Sequence, residues 1–389
     1  MEVVHVWEEA PRSLKKSIFL AGPTPRSADV PSWRPEALEI LRRSGYDGVV
    51  FVPESRGGVR KGDYSDQVEW EEKYLHMADV ILFWVPRELI TMPAYTTNVE
   101  FGFWADSGKI VFGAPIKSDG KELEKNRYLR YYAEKLGVPS MYSLEETVGA
   151  AMKYLGAGSV RIDGERNVPL YIWNTPHFQQ WYATQNAAGN RLDGARVVWT
   201  FRVGRDRSFV FFWALHVDVF VTSEKRHKTN EVVLSRPDIA TIVVYRRAEV
   251  LGDSDIVLIR EFRSPASTSD GFVWENPGGS SFKPKGDPLV LAADECREET
   301  GLLMDSSRFR RHESRQLVST LSAHRAHLFS VEVTEDELEW LRSQKDVAYG
   351  VEEDTERTYV EVLKLRDILN ESKVDWAMLG MILSVLRKG

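Results

Sequence analysis

The chain has 389 residues, too many for one ordinary core, so two domains are expected. Its 43% hydrophobic and 28% charged residues mark an ordinary soluble globular protein, and a net charge of −7 argues against a broad nucleic-acid footprint. A single cysteine, Cys296, excludes an internal disulfide and points to a reducing, cytoplasmic setting. The start, Met1 to Glu9, lacks the basic and apolar regions of a signal peptide. The longest apolar run, Phe209 to Val221, is interrupted by His216 and Asp218 and is too short to span a bilayer, so no membrane partner is expected.

The first half alternates strand and helix signals. Ser17–Ala21 is a buried strand closed by the turn Gly22-Pro23-Thr24-Pro25. Residues 35–44 have helical spacing and stop at Gly45; residues 48–52 form the next strand, closed by Pro53. Residues 67–78 are helical, 79–85 a strand apolar on both faces, 96–107 a helix capped by Thr96 or Thr97, and 109–113 a strand. Such alternation predicts a doubly wound, mostly parallel α/β sheet with ligands at the carboxyl ends of its strands. Gly22-Pro23-Thr24, Pro53-Glu54 and the segment after Val85 should then share one rim. The glycines of residues 156–167 mark a boundary, giving domains of residues 1–158 and 159–389, the second with an extension over 159–195. Beyond it, residues 178–188 read as a helix and 196–203, 209–221, 239–246 and 255–262 as strands. Helices follow at 288–300 and 375–387, so an α+β domain is expected.

The carboxylates of this second domain carry chemistry. Glu295 and Glu299 are four residues apart on one helix face, with Glu298 beside them. Such crowding calls for a divalent cation, and hard oxygen donors select Mg²⁺ or Mn²⁺. Pro277-Gly278-Gly279 supplies a backbone able to approach metal or phosphate closely. Glu275 to Gly279, followed by Asp294-Glu-Cys-Arg-Glu-Glu-Thr-Gly301-Leu302, resembles the Nudix box. The flanks, Leu258 to Arg263 before it and Ser319 to Phe329 after it, resemble the ADP-ribose and nucleotide-sugar branch of that family. The resemblance implies a Nudix fold with metal held by Glu295, Glu298, Glu299 and Gly279, and catalytic roles for Glu295 and Glu299. It also implies substrate contacts from Arg263 and Glu275, and a base at His324. Three departures stand out: Gly279 to Gly301 is one residue longer than the family spacing, the first Glu of the box has no counterpart near Lys285-Gly286-Asp287, and Asp294 replaces an Arg that orients a metal-binding Glu.

In the first domain, Phe19 to Thr24, Tyr64 with Gln67 and Trp70-Glu71, Ala78 to Pro86, and Thr96-Thr-Asn-Val-Glu100-Phe-Gly102 stand in that order. The set resembles the nucleoside 2-deoxyribosyltransferase-like superfamily, which includes nucleotide N-glycosidases. The resemblance implies that Glu100 attacks the anomeric carbon, that Asp79 helps as a second acid, and that Gly22, Pro23, Thr24, Tyr64 and Asn98 line the substrate. Ala94 stands where transferases carry an Asp that reads the base, which favours hydrolysis over base transfer. Arg26, Arg56 and Arg87 are candidates for a phosphate at the rim.

Together these readings describe a bifunctional nucleotide-processing enzyme. It would cleave an N-glycosidic bond in one domain and a nucleoside diphosphate derivative, with Mg²⁺ or Mn²⁺, in the other. The alternative is a sensing or scaffolding protein whose Nudix domain binds a nucleotide without turnover. The expected partner is a small nucleotide; both resemblances also imply a homo-oligomer.

Overall fold

The computed structural model describes residues 1–387 except 28, 59–62, 118–119, 121–123, 205–206, 281–285 and 351–355. Residues 205 and 206, between the strands expected at 196–203 and 209–221, therefore lie outside the described residues. The chain forms two compact units, Met1–Val233 and Leu234–Gly389.

The first unit is built on six parallel strands: β1 (Glu2–His5), β2 (Ser17–Ala21), β3 (Val49–Val52), β4 (Val80–Trp84), β5 (Ile110–Gly113) and β6 (Ser140–Met141). Their order is β1-β3-β2-β4-β5-β6. The inner strands are apolar throughout because helices cover both faces. Helices α2 (Tyr64–Met77), α3 (Tyr95–Trp104) and α4 (Arg127–Lys135) bury Trp70, Phe101 and Leu129 against Phe19, Phe83 and Phe112. Helices α1 (Arg34–Arg43) and α5 (Leu144–Leu155) bury Leu41 and Val148 against Leu20, Leu82 and Val111. The doubly wound parallel sheet read from the sequence is thus present.

Two of the helix starts that differ from the sequence reading have a local cause. Helix α2 begins three residues early because Asp63 accepts from the Asp66 N–H while the Asp66 carboxylate accepts from the Asp63 N–H. Helix α3 begins at Tyr95; neither Thr96 nor Thr97 caps it, and its N-cap, Ala94, sits in the left-handed region at φ 60°.

The compact units part at 233/234, well beyond the 158/159 boundary drawn from the glycines. The cause is a buried ion pair. Arg161, 0% exposed, donates from Nη1 to Asp79 Oδ1 at 2.7 Å and from Nη2 to Asp79 Oδ2 at 2.6 Å. Past it, helix α6 (Pro176–Ala187) packs Phe178 and Trp181 edge-on against Trp213. Trp213 lies in a three-stranded sheet of β7 (Arg191–Val203), β8 (Phe209–Val221) and β9 (Arg226–Ser235), ordered β9-β8-β7. Strand β9 had no sequence signal, since Arg226-His-Lys-Thr-Asn-Glu reads as a polar turn.

The second unit is a mixed sheet. Its principal strands are β10 (Ile239–Arg246), β11 (Asp255–Phe262), β12 (Phe272–Glu275), β13 (Gly278–Ser280), β14 (Arg325–Glu332) and β15 (Thr358–Lys364). Strand β10 lies between β14, parallel to it, and β11, antiparallel to it; β15 follows β11, while β12 pairs with β11 and β13 with β10. One face buries Ala240, Ile242 and Phe329 beneath α7 (Pro288–Thr300) and α8 (Glu335–Ser343). The other buries Val243, Leu258 and Leu328 beneath α9 (Leu365–Asn370) and α10 (Trp376–Leu386). Among the described residues no helix is long and apolar enough to cross a membrane.

Candidate active sites

At the carboxyl ends of β2, β3 and β4, one buried cation gathers the rim. Arg34, 1% exposed at the start of α1, donates to the Leu20 carbonyl at 3.1 Å and the Gly22 carbonyl at 2.7 Å. It also reaches Thr24 Oγ1 at 3.1 Å and Glu54 Oε1 at 2.5 Å. Trp33 stacks on its guanidinium, 4.9 Å to the ring centre, and donates from Nε1 to the Pro23 carbonyl. The sequence named three exposed-looking arginines and missed this one, because Arg34 follows Trp33 at a helix start and carries no family signature in the reading. Gly22 is required here: at φ 147°, a Cβ would stand 2.2 Å from the Trp84 carbonyl oxygen.

Glu100 belongs to this rim. It is half-buried on α3, one residue before the fully packed Phe101, and its carboxyl is pushed up to about 7. Burial is the main cause; the negative charge of Glu71 adds to it and Arg34 opposes it. Glu71, half-buried on α2, is raised in turn by burial, against the hydrogen bond from Gln67 Nε2 at 2.8 Å and the charge of Arg34. Both carboxyls thus feel the charge of one buried guanidinium, whose own hydrogen bonds go to Glu54, Thr24 and two backbone carbonyls. In the sequence Glu71 stands within its motif without a role; helical spacing is the signal that points to one, since Tyr64, Gln67 and Glu71 fall on one face of α2. Tyr64 itself is exposed at the first turn of α2. Asn98, on α3, accepts from Arg87 Nη2.

Asp79 does not join them. It sits at the amino end of β4, opposite the rim, 1% exposed. Besides both bonds from Arg161, it accepts from the Ser17 N–H at 2.9 Å, Ser17 Oγ at 3.0 Å and the Leu170 N–H at 2.9 Å. Both oxygens are committed to packing, which removes it as a catalytic acid. The other rim arginines also find local partners: Arg56 pairs with Glu8 at 2.8 Å, and Arg26 lies over the Tyr95 ring.

In the second unit, helix α7 presents its carboxylates toward β13. Glu299, 1% exposed, accepts from the Gly278 N–H at 2.8 Å. Glu295 lies against Gly279 so closely that a Cβ there would meet its carboxylate at 2.4 Å. Carboxylate oxygens of Glu261, Glu299 and Glu356 lie within 4.8 Å of one another. Burial first, then mutual repulsion, raises Glu299 strongly and Glu295 to about 7; burial likewise holds Glu261 at about 7 against the charge of Arg263. These oxygen donors suit a hard divalent cation, which would relieve that repulsion.

The membership differs from the sequence reading. Glu298 is exposed and pairs loosely with Arg297, 3.5 Å away, so Glu261 and Glu356 take its place. Arg263 and Glu275, expected to bind substrate, bind each other at 2.7 Å, and Arg263 reaches Glu261 at 2.8 Å. His324 is paired with Ser322 through Nδ1. Its pKa is lowered by burial and then by Arg236, against Asp238; none of the acids above is among its neighbours in these interactions. The sequence could not reveal Glu261 or Glu356, because their approach to α7 depends on strand pairing far from the box.

Residues 15–117 match the model of a family described as nucleoside 2-deoxyribosyltransferase like. The matched residues run from β2 to β5 and include Arg34, Glu71 and Glu100, so this part of the first unit is similar to that family. No curated protein matches the chain. The family match stops at residue 117, so the reading of the second unit rests on its own residues.

Proposed function

We propose that the first unit cleaves the N-glycosidic bond of a nucleotide, with Glu100 as nucleophile and Glu71 as proton donor. The half-buried Glu100 on α3, inside the stretch that matches the family and under the charges of Glu71 and Arg34, is the observation that carries this reading. As a carboxylate, Glu100 attacks the anomeric carbon; the carbon–nitrogen bond breaks and its electron pair leaves on the base nitrogen. Glu71, whose carboxyl is raised by burial, supplies the proton the base needs. Water then hydrolyses the sugar ester, regenerating Glu100. Left-handed Ala94 offers no side-chain acid for reading the base, which favours water over a second base as acceptor.

For the second unit we propose a Nudix-type hydrolysis of a nucleoside diphosphate derivative. Glu299, Glu261 and Glu356 would hold Mg²⁺ or Mn²⁺, with Glu295 adjoining. Such an ion neutralises phosphate charge and lowers the pKa of bound water. Arg263, tied to Glu275, orients Glu261 from β11, a duty that Asp294 on α7 cannot perform. The Asp294 exchange is also what favours the second reading, a domain that binds nucleotide without turnover.

The test is chromatography of products from nucleoside monophosphates, ADP-ribose and nucleotide sugars, with Mg²⁺ and with EDTA. Free base in both conditions and cleaved diphosphate only with Mg²⁺ supports the full proposal. Metal-dependent binding of ADP-ribose without cleavage selects the binding reading for the second unit; no free base from any nucleotide contradicts the first.

A further inference from the structure

On the sheet face of the second unit opposite α7 lies a groove of about 590 Å³ that the chemistry above does not use. Its floor is Ala326 and Leu328 of β14; Leu328 packs with the α10 core, while its neighbour Phe329 packs with the α7 core. The wall is α10, where Ala377, Gly380 and Ser384 fall on one helical stripe and leave the space open. The volume lies in the range of small-ligand sites, roughly 300–1,000 Å³.

The two ends of that wall differ in chemistry. Trp376, at one end, is 88% exposed, an indole face with almost no protein cover. Arg387, at the other, is exposed and has no carboxylate partner among the described residues. Eleven residues of helix separate them, about 16 Å of rise, and the long Arg387 side chain shortens the gap. Arg315 lines the opposite wall; its pair with Glu313, at 2.8 Å, is exposed and weak, and is readily exchanged for an anion. A planar aromatic surface, a narrow apolar floor and a free guanidinium at the far end fit a ring joined to an anionic group through a short polar spacer.

We propose that this groove binds a nucleoside phosphate, with the base stacked on Trp376 and the phosphates on Arg387. The ligand would sit apart from the acidic cluster, so its binding needs no divalent cation. Base stacking on an exposed indole tolerates any base, and the phosphate contact supplies the dependence on charge.

The test uses full-length protein labelled with 5-fluorotryptophan, with EDTA present. The ¹⁹F resonance of Trp376 is identified by its loss in Trp376→Phe, an exposed substitution that leaves the core untouched. Titration with ADP is expected to shift this resonance saturably in the submillimolar to millimolar range. Arg387→Ala should weaken the titration at least tenfold, and adenosine should be weaker than ADP by a similar factor. A Trp376 resonance unmoved by 10 mM ADP overturns the proposal. So does a shift of equal midpoint in Arg387→Ala, which would mean that the phosphates are not held there.

Discussion

Replacing Asp79 should damage the fold rather than the chemistry. Its two oxygens take five hydrogen bonds, two of them from a guanidinium with no exposure to water. Asp79→Ala leaves that charge buried with its partner gone, a loss of about 3–5 kcal/mol for a broken buried pair. The Ser17 and Leu170 N–H groups lose their acceptor as well, at about 1–3 kcal/mol for each donor left unsatisfied. The total approaches the whole stability of a typical domain, about 5–15 kcal/mol. Urea unfolding of the full chain, followed by far-ultraviolet circular dichroism, should show the transition of the first unit moved to far lower denaturant or absent. Asp79→Leu combined with Arg161→Leu should recover part of the loss, since no charge is then buried alone. An Asp79→Ala protein with a wild-type unfolding midpoint and no base release would refute this reasoning and return Asp79 to the catalytic set.

Three further outcomes follow from the same geometry. A fragment of residues 1–160 should be insoluble, because it lacks Arg161, whereas 1–233 should fold; a soluble, cooperatively unfolding 1–160 would contradict the role of the ion pair. Base release should fall about tenfold per pH unit as pH drops below about 7, because Glu100 must be ionised to attack; a flat profile between pH 5 and 7 would count against it. Stability runs the other way: the folded Glu100 carboxyl keeps a proton that the unfolded chain releases near 4.5. Its contribution is complete below that value and lost as pH rises through about 7, and Glu100→Gln should remove this slope. Millimolar Mg²⁺ should raise the melting temperature of the second unit by mass action, and Glu299→Gln should abolish the rise; equal shifts in both proteins would place the ion elsewhere.

The parallel sheet was legible because doubly covered strands must be apolar on both faces, as 18–21, 49–52 and 80–84 are. Glu100 was legible because a carboxylate within the apolar turn Val99 to Trp104 demands a reason. Asp79 was misread for a related cause: sequence shows an acid at a strand start but not Arg161, 82 residues on, that neutralises it. The same separation hid the domain limit, since glycines at 156 and 158 suggest a hinge while Arg161 just beyond them is buried in the first unit. Arg34, Glu261 and Glu356 were missed because each gains meaning only from partners on other elements. The α7 helix was read correctly from Pro288 to Thr300, yet its partners were not, for Glu298 is sequence-adjacent but faces water.

The most direct test is base release by Glu100→Gln beside the wild type, on whichever nucleotide the wild type cleaves, with intact-protein mass spectrometry of quenched reactions. The substitution keeps the shape of the side chain, so the unfolding midpoint should not fall while the rate drops by about 10²-fold or more. The wild type should also carry a transient sugar-phosphate adduct on the peptide containing Glu100. Free base released by the variant at the wild-type rate, or an adduct on a different peptide, would contradict the account.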